Sequence, residues 1–424
     1  MQHIKGQEFE PLEGVIGFWD MASSDLDVRE GLFCGCNLGK TAFQTLLVQT
    51  LWVWVSLQHI KQNTMSLRNF FYSTFLLSFC TIALPAQYTF TVDEHCPYTS
   101  VKSQDRTGTC WSFATTSFLE SELLRMGKGK YDLSEMFTVR TIYEDKALNY
   151  ILRQGKANFG EGSLAHDVLR AVEMGGAVPQ EVYSGLLPGQ TSYDHSEMSA
   201  ALKGLLDGVL QGKHPGSRWD DAFRAVLDVY MGAVPQEFSY RGKKYTPKTF
   251  AEKLGIKSSD YISLTSFTHH PFYTSFILEI PDNYSNGSYY NIPLDELVAA
   301  VDKALEAGYT VAWDGDVSEK GFSARHGLAI LPEDPRRPDL FDKPGPELKV
   351  TQEARQEAFM SFFTTDDHLM HIVGLAHDQQ GKKYYVVKNS WGNLGPYGGV
   401  IYMSEAYFRM KTVAVTLHKS AFSK

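Results

Sequence analysis

The stretch Gln104-Asp-Arg-Thr-Gly-Thr-Cys-Trp-Ser-Phe-Ala114 places a cysteine directly before a helical pattern. Apolar residues recur at helical spacing over 111–126, so Cys110 lies at or just before a helix N-terminus. A thiol there feels the positive end of the helix macrodipole, which favours the nucleophilic thiolate. Gly108 lets a substrate carbonyl approach the backbone, where the Cys110 N–H and the Gln104 side chain would form an oxyanion hole. The stretch predicts a cysteine nucleophile at residue 110.

A second motif lies near the other end of the chain, where His371 is followed by Asn389-Ser-Trp-Gly392. A cysteine nucleophile needs an imidazole that holds it as an ion pair and later protonates the leaving amine. That imidazole needs a partner that fixes its ring, and an asparagine amide does this without adding charge. We therefore expect His371 to act as the general base and acid, with Asn389 orienting it.

Together the two motifs resemble the papain-like cysteine peptidases. The signature Cys-Gly-[Ser/Ala]-Cys-[Trp/Tyr] corresponds to Thr107-Gly-Thr-Cys-Trp111 and departs from it at the first and third positions. Gln104, six residues before Cys110, is similar to the oxyanion glutamine of the family, and Asn389-Ser-Trp-Gly matches its asparagine motif. The missing first cysteine removes a disulfide that secreted papains use, which points away from the cathepsins.

The spacing between the motifs narrows the resemblance. His371 and Asn389 follow Cys110 by 261 and 279 residues, whereas the papain pattern has about 130–150. Helical patterns over about 190–305 fill the difference, and such an insertion resembles the bleomycin hydrolase or aminopeptidase C family. Four further stretches are similar to that family, namely 160–170, 245–250, 311–317 and 367–371.

The resemblance implies a fold, an activity and a set of roles. The fold would be the papain-like two-lobed α+β fold, in which a helical lobe carries the Cys helix, a β-sheet lobe carries His and Asn, and a large helical region is inserted. The activity would be that of a cysteine peptidase, an aminopeptidase on peptide substrates, without a cofactor. The family also forms homo-hexamers and blocks part of its cleft with its own C-terminus. The implied site residues are Cys110, His371, Asn389 and Gln104, with Trp391 as a shield over the His–Asn pair and Gly108 and Trp111 in support.

A pass along the chain favours the same α+β class. Helices are predicted over 111–126, 163–174, 198–210, 219–230 and 294–305, and strands over 309–313, 371–376, 384–388, 400–403 and 413–417. A helical front half and a sheet-rich back half indicate two lobes with a cleft between them.

Composition excludes several other classes of function. The 424 residues are 43% hydrophobic and 21% charged, which suits a chain with a large core, and the net charge of −9 leaves no basic surplus for nucleic acid or anionic membranes. Five cysteines are too few for a disulfide scaffold. His368 and His371 could be a metal pair, but no acidic or cysteine partners stand in a fixed pattern with them, so we expect no metal.

The N-terminal part reads as a targeting region. Residues 65–86 have one positive charge, an apolar run and a small residue at Ala86, which is typical of a secretory signal peptide. Residues 1–64 would then be an over-extended gene start, or alternatively an anchor or pro-segment, and 87–424 the peptidase domain. Export to the periplasm or the extracellular space follows if the signal is used, with a cytoplasmic protein as the alternative. No stable membrane span is expected in the mature chain.

Three hypotheses about function follow from the sequence. The first is a cysteine aminopeptidase that works through a thioester acyl-enzyme. The second is an endopeptidase or another Cys-dependent amide hydrolase, since the chemistry requires only a carbonyl and a leaving amine. The third is an inactive homologue that binds peptides in the cleft.

Overall fold

The computed structural model describes residues 87–212 and 214–422. The signal peptide predicted at 65–86 and the extension predicted at 1–64 lie outside these residues. Within the described part of the chain, no helix combines the length and the apolar character that crossing a membrane requires.

The described residues form ten α-helices. They are α1 (Cys110–Arg125), α2 (Glu135–Leu152), α3 (Ala165–Gly175), α4 (Ser196–Gln211), α5 (Trp219–Met231), α6 (Pro247–Leu254), α7 (Leu294–Glu306), α8 (Gln352–Met360), α9 (Glu405–Lys411) and α10 (Lys419–Phe422). Helix α1 is buried over nearly its whole length. It begins at Cys110, so the predicted placement of that thiol in the first helical turn is confirmed.

The strands form a long mixed sheet and a small hairpin. They are β1 (Phe90–His95), β2 (Phe238–Tyr240), β3 (Lys243–Tyr245), β4 (Tyr261–Thr265), β5 (Ser275–Ile277), β6 (Ser288–Asn291), β7 (Val311–Gly315), β8 (Phe322–Ser323), β9 (Leu328–Ala329), β10 (His368–Asp378), β11 (Lys383–Lys388), β12 (Val400–Ser404) and β13 (Thr412–His418). The large sheet has the order β5-β6-β4-β13-β7-β10-β11-β12-β9-β8, and β1 also pairs with β10. The hairpin is β2–β3.

Strand β10 is the element that joins the two lobes. Its first half pairs antiparallel with β7 and its second half with β1, while β11 runs along its other edge. Leu369 belongs to the helical core that contains α1, whereas Met370 and Ile372 belong to the core formed with α7 on the opposite face. Side chains alternate between faces along a strand. Odd-numbered residues at the start of β10 therefore face α1.

The predicted elements are found with their ends shifted by a few residues, but several were missed. Helices α2, α6, α8, α9 and α10 had no counterpart in the sequence analysis. Helix α2 is buried on several sides, and such a helix has no polar stripe to produce a helical pattern.

The expected helical insertion over about 190–305 is only partly helical. Helices α4, α5 and α6 occupy its first part, but the chain then forms β4, β5 and β6. Strand β4 pairs with β13, so this part of the segment extends the main sheet. Short strands with few alternating residues carried no signal strong enough to reveal this.

Candidate active site

Cys110 lies at the junction between α1 and β10. Its side chain is buried, with the residue 8% exposed. The backbone N–H of Leu369, the second residue of β10, hydrogen-bonds to its sulfur. Thr109 precedes the helix as its N-cap without a side-chain cap bond. The thiol is therefore held against the beginning of β10.

An imidazole, an amide and an indole are assembled at that same end of β10. The Nε2 of His368 and the Oδ1 of Asn389 are 2.8 Å apart. The Trp391 ring lies against the His368 ring, with 4.7 Å between centroids. Because Oδ1 can only accept, Nε2 carries the ring proton and Nδ1 keeps its lone pair. His368 is thus oriented and shielded in the way that a general base requires.

The prediction that His371 is the imidazole oriented by Asn389 is wrong. His371 is fully buried in the middle of β10, and its Nδ1 lies 2.9 Å from the Ser117 hydroxyl on α1. Residues 368 and 371 are three positions apart, so their side chains lie on opposite faces of the strand. The Lys388 ammonium donates to the same Ser117 hydroxyl at 2.7 Å. Burial, reinforced by the Lys388 charge, lowers the pKa of His371 well below its ordinary value.

A weak signal for His368 was present in the sequence. His371 lies inside an apolar run, whereas His368 begins that run directly after Asp366 and Asp367. Functional side chains concentrate where regular elements end and loops begin. His368 lies where β10 begins, next to a polar loop, and this position favours it as the functional histidine.

Gln104, the predicted oxyanion donor, is bonded to Ser390 and Thr107. Its backbone N–H donates to the Ser390 carbonyl at 2.8 Å, and its Oε1 accepts from the Ser390 hydroxyl at 2.7 Å. These bonds tie it to the residue after Asn389. Its Nε2 donates one hydrogen to the Thr107 carbonyl at 2.7 Å. A primary amide has a second N–H, which a substrate oxygen can use.

The two supporting residues, Gly108 and Trp111, both contact Glu161. The Gly108 N–H donates to the Glu161 carboxylate at 2.7 Å, and the Trp111 indole N–H donates to the Glu161 carbonyl at 2.8 Å. A Cβ on Gly108 would come 2.9 Å from the Glu161 Cβ. Gly108 therefore permits a close approach, and Glu161 is a residue of the site that the sequence analysis did not single out.

The electrostatic surroundings of Cys110 are acidic. Burial, together with the carboxylates of Asp366, Asp282 and Asp314, raises the pKa of its thiol to about 12, against the opposing effect of the Leu369 N–H. Burial also lowers the pKa of His368 to about 4. The helix N-terminus was expected to favour the thiolate, but burial and the nearby carboxylates favour the thiol. In the free protein, the neutral forms of the Cys110 thiol and of the His368 imidazole are favoured.

Two of these carboxyl groups interact directly. Asp314 lies opposite Leu369 in the β7–β10 pairing, which places both on the α1 face. Burial raises the pKa of Asp366 to about 7 and that of Asp314 well above its ordinary value, and the negative charge of Asp366 raises the pKa of Asp314 as well. The third, Asp282, lies so close to Gly162 that a Cβ there would be 1.8 Å from its Oδ2.

One group of potential metal ligands occurs in the described part of the chain. The Glu279 carboxylate bonds both His270 and His269, at 2.7 and 3.2 Å. These residues belong to the segment that contains β5, away in sequence from Cys110, His368 and Asn389. The group is partly exposed and holds itself together by its own hydrogen bonds.

Comparisons with known proteins agree with this geometry. Residues 229–424 match the Peptidase C1-like family. Aminopeptidase E of Lactobacillus helveticus is 24% identical over 366 residues, covering 76% of this chain and 81% of that protein. Aminopeptidase W of Lactobacillus delbrueckii subsp. lactis is 22% identical over 370 residues, with the same two coverages of 76% and 81%. The crystal structure of PepW from Lactobacillus rhamnosis has a TM-score of 0.62 at 20% identity and covers 78% of this chain and 82% of that one.

The fold and the matched sequence define the class. The fold is papain-like, so the fold inferred from the two motifs is confirmed. The matched sequences support a papain-like cysteine peptidase. Within that class, the chain is similar to aminopeptidases E and W, which agrees with the aminopeptidase type that the spacing between the motifs indicated.

Proposed function

We propose that the protein is an aminopeptidase in which Cys110 is the nucleophile, His368 the general base and acid, Asn389 its orienting partner and Gln104 an oxyanion donor. The observation that carries these roles is the His368–Asn389 hydrogen bond at 2.8 Å. His368 is next in sequence to Leu369, whose N–H bonds the Cys110 sulfur. His371 has no part in the reaction.

Acylation begins with transfer of the Cys110 proton to His368. Because His368 Nε2 is engaged with Asn389, the accepting atom is Nδ1. The sulfur forms a bond to the substrate carbonyl carbon, and the carbonyl oxygen becomes an oxyanion. The Cys110 N–H, in the first turn of α1 where helical N–H groups have no intrahelical acceptor, and the second Gln104 Nε2–H stabilise it.

Collapse of this intermediate breaks the carbon–nitrogen bond. The proton on His368 passes to the departing nitrogen, so that a neutral amine leaves and a thioester remains on Cys110. Water then attacks the thioester carbon while His368 accepts its proton. When the second tetrahedral intermediate collapses, the sulfur leaves, takes back the proton from His368, and releases a carboxylic acid.

The acidic surroundings of Cys110 support a substrate with a free amine. Burial disfavours the charged forms of Asp366 and Asp314 and raises the pKa of both groups. An arriving α-ammonium supplies positive charge that favours the ionised carboxylates, which can then hold the amine. In an aminopeptidase substrate, the free amine and the carbonyl under attack belong to the same residue. Carboxyl groups near Cys110, such as Asp366 and Asp314, are therefore well placed to bind that amine.

The C-terminal helix contacts another region of the molecule. Residues Ala421 and Phe422 of α10 pack against the core that contains α7, on the sheet face opposite to α1. Phe422 also contacts the Tyr290 ring, with 6.0 Å between centroids. The carboxylates near Cys110 are our proposed amine-binding groups. Hexameric assembly and export stay predictions.

The experiment compares two fluorogenic substrates that differ only in their amine, leucine 7-amido-4-methylcoumarin and its N-acetyl derivative, on wild type and Cys110→Ala. We expect wild type to cleave the free-amine substrate and Cys110→Ala to cleave neither. Cleavage of the acetylated substrate at an equal rate would indicate an endopeptidase with an open cleft. Absence of Cys110-dependent cleavage of both would contradict the peptidase roles.

A further inference from the structure

A pocket of about 280 Å³ lies beside Gly108, two residues before the nucleophile. Its lining residues come from the loop before α1, from α2, from the loop before α3 and from α4, and they are Gly108, Tyr143, Phe159, Gly160, Glu161, Ser199 and Leu202. One water occupies about 30 Å³ in the liquid, so the pocket is large enough for an amino-acid side chain. None of the roles proposed above uses it.

Glu161 gives this pocket a negative charge with unused acceptor capacity. Its Oε2 accepts from the Gly108 N–H at 2.7 Å, and its Oε1 accepts from the Ser199 hydroxyl at 2.9 Å. An ionised carboxylate has about four acceptor positions, which leaves about two for a ligand. The Glu161 side chain is 19% exposed, so it is neither sealed in the core nor fully solvated.

The nearby cationic groups leave much of that charge uncompensated. The lining contains no lysine, arginine or histidine. His195 Nδ1 lies 3.9 Å from Glu161 Oε2, but burial lowers the pKa of His195, which favours its neutral form. Lys146 interacts with Glu161 as well, yet it donates to the Gly162 carbonyl, and its electrostatic interactions with Asp282 and Asp167 are larger.

A second observation also indicates that the pocket takes a ligand. The hydroxyl of Tyr143 is buried in the pocket wall and has no hydrogen-bond partner among the described residues. Buried hydroxyl groups in proteins normally have a partner. The rings of Tyr143 and Phe159 provide apolar walls of the kind that the aliphatic stem of a lysine or arginine packs against. A ligand with an apolar stem and an N–H-rich cationic end would pack against both rings and pair with the Glu161 carboxylate.

We infer that this pocket binds the side chain of a basic residue, arginine or lysine, at the N-terminus of the substrate, with Glu161 as the residue that selects its charge. This inference rests on the proposed function, because the side chain concerned belongs to the residue whose carbonyl Cys110 attacks. The pocket adjoins Gly108, in the loop past which that carbonyl must be placed.

The test compares the 7-amido-4-methylcoumarin derivatives of arginine and citrulline. Citrulline carries a urea group in place of the guanidinium, so the two differ in charge and hardly in size. We expect wild type to favour arginine by about tenfold or more in kcat/KM, since a hydrogen bond to a charged group contributes that much. In Glu161→Gln, which keeps an acceptor for the Gly108 N–H, the ratio should fall to about one.

The matched control is Glu197→Gln. Glu197 is on α4, the helix that carries Ser199, but it does not line the pocket. Its carboxylate accepts from the Tyr230 hydroxyl at 2.9 Å. Its substitution removes the same charge and should leave the arginine preference unchanged. A wild-type ratio near one, or an unchanged preference in Glu161→Gln, would overturn the inference.

A binding measurement separates this inference from the proposed function. Calorimetry with argininamide and citrullinamide on Cys110→Ala requires no catalysis. Tighter binding of argininamide, reduced by adding Glu161→Gln, supports the pocket even if no peptide is cleaved. Equal binding of the two amides would overturn it even if leucine substrates are hydrolysed.

Discussion

The two histidines of β10 differ in surroundings although they are three residues apart. His368 begins the strand, between the Asn389 amide and the Trp391 ring. His371 lies in the middle of the strand, under α1, in contact with the hydroxyl of Ser117. Both imidazoles are buried, and burial lowers the pKa of both. What distinguishes the proposed general base from the core histidine here is its position at the start of the strand, with an amide and an indole as partners.

The largest expected effect comes from replacing each of these two histidines in turn. His368→Ala removes the base that deprotonates Cys110, so kcat/KM should fall by about 10³-fold or more. His371→Gln, which keeps an acceptor for Ser117, should stay within about threefold of wild type. The measurement is kcat/KM on leucine 7-amido-4-methylcoumarin.

Circular dichroism and thermal melts of both variants serve as the folding control. A folded His371→Gln that is as inactive as His368→Ala would contradict the assignment of His368. Retained activity in His368→Ala would do the same.

The second prediction concerns the Trp391 ring, which keeps water from His368. Removing it in Trp391→Ala exposes the imidazole, and the pKa of His368 should rise from about 4 towards its ordinary value near 6.5. Because the base must be neutral to act, the acidic limb of kcat/KM should move to higher pH. At pH 5 we expect a loss of about tenfold or more.

Trp391→Phe is the matched control, since it keeps an aromatic ring over the imidazole. Its acidic limb should stay near that of wild type. An identical limb in Trp391→Ala would show that the indole does not control the titration of His368.

Much of the site could be predicted from the sequence because its parts are local. The nucleophile and its helix were indicated by the apolar pattern that follows Cys110, and Asn389 by its motif. The choice between the two histidines depended on where β10 begins. The sequence analysis placed the start of this strand at residue 371, but it begins at His368. Glu161 and Asp314 were beyond reach, because only the packing of distant segments brings their carboxylates to the nucleophile.

The third prediction tests the acidic surroundings of Cys110. The Asp366 carboxylate raises the pKa of the thiol, so Asp366→Asn should lower it and increase the thiolate fraction at a given pH. Alkylation by iodoacetamide at pH 8 should become about three- to tenfold faster, in proportion to that fraction. The comparison variant is Asp334→Asn, because Asp334 is exposed and bonded to Arg336. An unchanged rate in Asp366→Asn would show that this carboxylate does not control the thiol.

The smallest effect we expect is on stability and again concerns His371. Its pKa in the folded state lies well below its ordinary value of about 6.5, so the unfolded chain binds more protons between these two values. Stability is therefore lost as pH falls below about 6.5, by up to about 1.4 kcal/mol per pH unit for this group. Glutamine at position 371 cannot be protonated, so His371→Gln should lose about 1 kcal/mol less than wild type between pH 6.5 and 5.5. Urea unfolding at the two pH values measures this difference. Equal losses of stability in the two proteins would mean that His371 does not remain neutral in the folded core. Its role as a buried core histidine, distinct from that of His368, would then be contradicted.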